Sequence, residues 1–206
     1  DLDPRFELIG DDGRNFLSGT PNPVDLIICD ATHPGSSESW LLYTEEFYSI
    51  VLSRLTPGGI AAQWVPLHRL PREEFARILA TWGRVFPHSA VHAAGGRHAI
   101  LIGSNGPLSL DIDAMFNDEV ARIQLEDTGF RAGEEEFLLP VATGEDLLPL
   151  VESPLRSNTD DLAPCQFLIR KSPGDPQLTI GDNMSLLLHL SGAEQVNPVH
   201  AGQILY

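Results

Sequence analysis

The chain has 206 residues, 42% of them hydrophobic and 20% charged, with a formal net charge of −16 and a sequence pI of about 4.6. That composition is globular and long enough to bury a core in one domain of ordinary size. The acidity argues against nucleic acid as a partner, and the lack of an 18-residue apolar run argues against membrane insertion. The opening residues DLDPRFELIG lack a basic stretch followed by an apolar one, so they do not read as a signal peptide. Phe6–Gly10 reads as a short strand entering a turn at Asp11-Asp12-Gly13. Val24–Asp30 reads as a fully buried strand, because its near-continuous apolar run suits a parallel sheet covered on both faces. Thr44 is the expected N-cap of a helix whose first turn carries Glu45 and Glu46, and Pro57-Gly58-Gly59 is the expected stop. Ile60–Val65 follows as a strand, then a helix from Pro71 with Phe75, Ile78, Leu79 and Trp82 on one face. Residues 89–94 and 98–104 read as an antiparallel pair around Gly95-Gly96.

This order of elements predicts an α/β fold. It is a partial Rossmann-like sheet of the methyltransferase type with helices on both faces, followed by a mostly helical C-terminal part. The expected boundary separates residues 1–108, a partial nucleotide-binding domain, from 109–206. In the second part, residues 111–129 read as one helix, GEDLLPLVE as a short helix broken by Pro149, SNTDDLAP as a turn-rich loop, and DNMSLLLHLSGA as an amphipathic surface or interface helix.

Ligands of open α/β sheets bind outside the carboxyl ends of the strands. Asp30 stands at such an end, and the Asp11-Asp12-Gly13 turn is expected there too. A carboxylate at that mouth can accept a proton or hold an amine, and it can equally cap the following loop. The histidines His88, His92 and His98 form a local group, but no cysteine or carboxylate joins them at ligand spacing, so no metal is expected. Ser36, Ser37 and Ser39 lack a nucleophile elbow, which argues against a serine hydrolase. Cys29 and Cys165 provide no disulfide framework, which fits a reducing, cytoplasmic setting.

The stretches DPRFELIGDDGRNFL, VDLIICDATHP and LYTEEFYSIVLSRLTPGGIAAQW, in this order, resemble the second half of the spermidine synthase (polyamine aminopropyltransferase) family. SNTDDLAP is similar to an NTDD-x-P segment of bacterial members, some of which are fused to membrane transporter-like segments. The resemblance implies transfer of an aminopropyl group from decarboxylated S-adenosylmethionine, a co-substrate rather than a tightly bound cofactor, to a small polyamine. It implies Asp30 as the catalytic base that also touches the nucleotide. Asp12 would be the adenine contact, with Gly13 permitting close approach. His33 and Tyr43 fall in the substrate-covering loop.

The sequence departs from that pattern at three places. DATHP puts His33 where the family has a second acid. HAAGGRHA has no tyrosine where the family carries one. The family's glycine-rich cofactor loop has no counterpart. In the family sheet, two further strands lie between the counterparts of Phe6–Gly10 and Val24–Asp30. Without them the edge of Val24–Asp30 is expected to be bare, so the chain is expected to form a homo-oligomer or to pair with a separate upstream segment. Two other readings stay open: a non-catalytic nucleotide- or polyamine-binding module, and an S-adenosylmethionine-dependent methyltransferase.

Overall fold

β1 (Val24–Cys29) pairs in parallel with β2 (Leu55–Pro66), and β2 pairs antiparallel with β4 (His98–Ser104). β3 (His88–Ala94) joins β4 through a hairpin, and the two-residue β5 (Ala142–Thr143) closes the far edge, giving the order β1-β2-β4-β3-β5. This is a mixed α/β architecture in a computed structural model that describes residues 3–30, 33–36, 39–127, 139–162, 164–167 and 176–192.

One face of the sheet carries the core. Ala61 and Val65 of β2, Ala99 and Leu101 of β4 and Val91 of β3 are buried there. Three helices supply most of the opposing side chains: α2 (Glu45–Ser53) with Phe47, Tyr48 and Val51, α3 (Arg72–Val85) with Phe75, Ile78, Leu79 and Trp82, and α6 (Gly144–Val151) with Leu147. Each such side chain, once fully buried, contributes roughly 1.5–3 kcal/mol. Thr44 caps α2 as expected, its hydroxyl accepting from the Phe47 N–H. Tyr48, Trp82 and Phe86 stack into an aromatic cluster, with the Trp82 and Phe86 centroids 4.1 Å apart.

Several expectations change. Residues 6–10 form no strand, and Phe6, Leu8 and Ile9 are exposed, because no described strand stands beside them to pair with. β1 is an edge strand rather than a fully buried one. Its inner residues Ile27 and Cys29 pack toward the core, but Leu26 and Ile28 are 54% and 69% exposed on the second face. Pro57-Gly58-Gly59 lies within β2 instead of closing a helix. Val24 faces Leu55 while Leu26 faces Ile60, so the extra residues bulge out, with Gly58 at φ 78°. The helix expected over 111–129 divides into α4 (Ile112–Asn117) and α5 (Glu119–Asp127), because the Asp118 carboxylate accepts from the Ala121 N–H and starts a new helix. The last helix, α7 (Pro176–Leu190), starts earlier than DNMSL and buries Ile180, Asn183, Leu186 and Leu187.

The floor of the aromatic cluster is Gly103. A Cβ there would stand 2.5 Å from the Phe86 ring and 2.8 Å from the Trp82 ring. Gly103→Ala is therefore expected to lower unfolding stability by about 1–3 kcal/mol through overpacking, read from the urea midpoint at constant slope. An unchanged midpoint would mean that the rings can retreat.

Candidate active site at the carboxyl ends of β1 and β2

Asp30 follows β1 one step past the Cys29–Gln63 rung and is exposed. Ala31 and Thr32, the next two residues, lie outside the described set. The chain returns at His33, runs through a 3-10 turn (Ser39–Tyr43), and enters α2.

Asp12 caps α1 (Gly13–Gly19), one carboxylate oxygen accepting from the Asn15 N–H at 2.9 Å. The space beside Gly13 is open, since a Cβ there would meet nothing within 4 Å. Arg14 ties this turn to the loop after Asp30. Its guanidinium donates to the Leu41 carbonyl at 3.1 Å and to the Asp160 carboxylate at 2.9 Å. Asp160 also accepts from the Thr44 hydroxyl at 2.9 Å, and its N–H donates to Glu46. The Arg14 hydrogen bond holds the Asp160 carboxyl below its ordinary range, with Thr44 adding to the effect and burial opposing it. Asp160 was legible in the sequence only as a turn former. Its partners are 146 and 116 residues away, which no local pattern reveals.

Tyr43 is fully buried, and its hydroxyl donates to the Trp64 carbonyl at 3.1 Å. His33 is half-buried. Its Nδ1 accepts from the Gly35 N–H at 3.0 Å, and its Nε2 lies 3.2 Å from the His68 carbonyl. With Nδ1 accepting, Nε2 carries the proton, and the ring is neutral.

Asp30 and His33 thus belong to one corner, and Arg14 and Asp160 tie the Asp12 turn to the 3-10 turn that follows them. Three residues outside the sequence-derived site join them. The His33 and His68 ring centroids are 5.8 Å apart, those of His68 and His98 also 5.8 Å, and Trp64 lies 5.0 Å from His98. His98 therefore meets His68, not a group with His88 and His92, and no metal-holding group occurs among the described residues. Each of the three histidines lies close to a strand end at this edge, and that position is the signal that could have found them. A separate cavity of about 830 Å³ lies at the other end of the sheet, lined in part by Ile60, His88, Ile102, Leu110 and Glu145; none of Asp12, Asp30, His33 or Tyr43 reaches it.

Burial is the main cause that pushes His33 below its ordinary value of 6.5, and the neighbouring His68 and Arg69 charges add to it against backbone bonds that raise it. A histidine depressed in the folded state stabilises the fold above 6.5, and that contribution is lost as pH falls through the lower folded value. The urea midpoint is thus expected to fall on acidification below 6.5. The fall should be smaller in His33→Gln, which cannot charge. Equal slopes in the two proteins would remove His33 from the account.

Residues 2–94 match the family model described as the spermine/spermidine synthase domain. Polyamine aminopropyltransferase 2 of Pseudomonas aeruginosa is 41% identical over 93 residues, which cover 44% of this chain and 26% of that protein. A polyamine aminopropyltransferase of Shigella flexneri is 49% identical over 59 residues, 28% of this chain and 20% of its own length. A solved structure of a probable spermidine synthase from Corynebacterium glutamicum superposes with a TM-score of 0.51 at 21% identity, covering 78% of this chain and 56% of that one, a likeness of fold. Residues 2–94 are thus similar to the spermine/spermidine synthase domain, and the matched segments span about a quarter or less of the curated relatives. Among the described residues no helix is long and apolar enough to cross a membrane.

Proposed function

We propose that this chain carries the base, the adenine edge and part of the acceptor wall of an aminopropyltransferase that draws on decarboxylated S-adenosylmethionine. The observation that supports it most directly is the exposed Asp30 at the carboxyl end of β1, within the stretch matched to the family. An amine reaches the site as an ammonium ion with no lone pair. Asp30 takes one proton and holds the nitrogen beside the reacting carbon. The freed lone pair then forms the carbon–nitrogen bond while the carbon–sulfur bond of the sulfonium breaks, and that electron pair stays on sulfur, leaving methylthioadenosine. Positioning and proton transfer account for most of what the protein adds. Asp12 has one carboxylate oxygen outside its cap bond to accept from an adenine amino group, and the open space at Gly13 lets a ring approach.

A second reading, a non-catalytic nucleotide- or polyamine-binding module, draws on His33, whose two nitrogens are both engaged with backbone groups and leave it no part in proton transfer. Calorimetric and turnover measurements on the Asp30→Asn and Asp12→Ala variants separate the two. On the catalytic reading Asp30→Asn loses about 10²–10⁴-fold in turnover and keeps its affinity for methylthioadenosine. Asp12→Ala weakens that affinity by about tenfold, the worth of one hydrogen bond to a charged group. Nucleotide binding without turnover in the unsubstituted chain would favour the binding module.

The reading extends to assembly in the cytoplasm. The exposed Leu26 and Ile28 on an edge strand support a second copy or an upstream segment covering β1. Sedimentation equilibrium of the chain is expected to show association that Ile28→Lys weakens. A monomer at all concentrations would count against self-association.

A further inference from the structure

The corner beside Asp30 has an unusual charge for this protein. The sequence holds 29 acidic residues against 13 Lys and Arg. Yet His33, His68 and His98 stand in a row here, with Arg69 and Arg97 at their margins. The charge of Arg69 reaches His33, that of Arg97 reaches His98, and Asp30 is near enough for its charge to act on His98 as well. Both arginines are exposed, and neither guanidinium has a partner among the described residues. By contrast, Arg14, Arg77 and Arg84 are each engaged by carboxylates or carbonyls.

The loop that presents His68 and Arg69 is held in a costly conformation. Arg69 has φ 55°, a left-handed backbone that a residue with a side chain adopts only when its surroundings impose it. The surroundings come from α7. The Thr179 hydroxyl accepts from the Arg69 N–H at 2.8 Å, and the Asn183 amide donates to the Leu67 and Leu70 carbonyls at 2.9 and 2.7 Å. The Leu67 N–H donates to the Arg97 carbonyl at 2.8 Å, so the hairpin tip and this loop form one unit. His68 keeps a buried Nδ1 with no partner among the described residues. The bracing fixes where His68 and Arg69 stand at this end of the sheet, since such strain persists only where the fold over-determines it.

We propose that His68, His98, Arg69 and Arg97 form the acceptor subsite, and that the acceptor is an amine bearing a carboxylate or phosphate at its far end. This rests on the aminopropyltransferase reading. Asp30 holds the reacting ammonium, and the imidazole N–H groups and guanidinium forks hold the anion. A diammonium acceptor would place its second charge against two arginines, and like charges meeting in that way are strongly disfavoured.

The test compares acceptors of similar length that differ at the far end. The full chain, saturated with methylthioadenosine, is titrated with 4-aminobutyrate, 3-aminopropyl phosphate and 1,4-diaminobutane, with calorimetry and the histidine ring proton signals as readouts. The anionic amines are expected to bind about tenfold or more tightly than the diamine and to shift the His98 signal. The preference should collapse in Arg97→Gln and in Arg69→Asn, which keeps a residue tolerant of the left-handed backbone. Whichever anionic amine binds more tightly identifies the anion as carboxylate or phosphate. Tighter binding of the diamine, or an unmoved His98 signal, would overturn the subsite while leaving the nucleotide reading intact. Failure of methylthioadenosine itself to bind would overturn the reading and the subsite together.

Discussion

The parallel pairing of β1 with β2 fixes where the loops of this site can meet. Both strands end at the same edge of the sheet, so the chain leaving Asp30 and the chain leaving Pro66 emerge side by side. β4 runs the other way, so its first residue, His98, starts at that edge as well. Residues 30, 33, 68 and 98 are distant in sequence and become neighbours for this reason alone. An antiparallel β1 would send Asp30 to the opposite end of the sheet.

Pairing alone does not hold loops still; the C-terminal third of the described chain does that. Asp160 clamps Arg14 against the loop after Asp30 and at the same time takes the Thr44 hydroxyl at the start of α2. α7 braces the loop after β2 through Thr179 and Asn183. Both contacts are polar bonds to backbone or to a charged group at the rim of the site. Such bonds are directional, and leaving one unmade costs more than its presence contributes, so they set geometry more firmly than apolar contact would. The match to the synthase family ends at residue 94, so these braces come from a part of the chain beyond it.

Much of this was legible in the sequence, and the limits follow from the kind of information each feature needs. The Thr44 cap with its acidic first turn, the amphipathic face of α3 and the β3–β4 hairpin are local, encoded within a few residues. Gly95 and Gly96 adopt positive φ, as their place in the turn required. Asp30 and Asp12 could be picked out because they follow an apolar run and precede a glycine. The burial of β1 could not be read, because an apolar run says only that cover is wanted. Whether Leu26 and Ile28 receive it depends on elements far from them. The meeting of His68 with His98 and the use of Asp160 required strand order and register, which no window of sequence contains.

Asp30 also divides the open face of the sheet into two unlike flanks. On the β1 side the neighbours are hydrocarbon, with Ile28 left 69% exposed. On the β2 and β4 side they are Trp64, His98 and His68, rimmed by guanidinium groups. A group that approaches the carboxylate along the first flank gains from leaving water and finds few hydrogen-bond donors. One that approaches along the second must bring acceptors or negative charge to match what it meets. A carboxylate between two such surfaces meets hydrocarbon from one side and hydrogen-bond donors from the other, so the flank along which a group approaches sets what can rest against it.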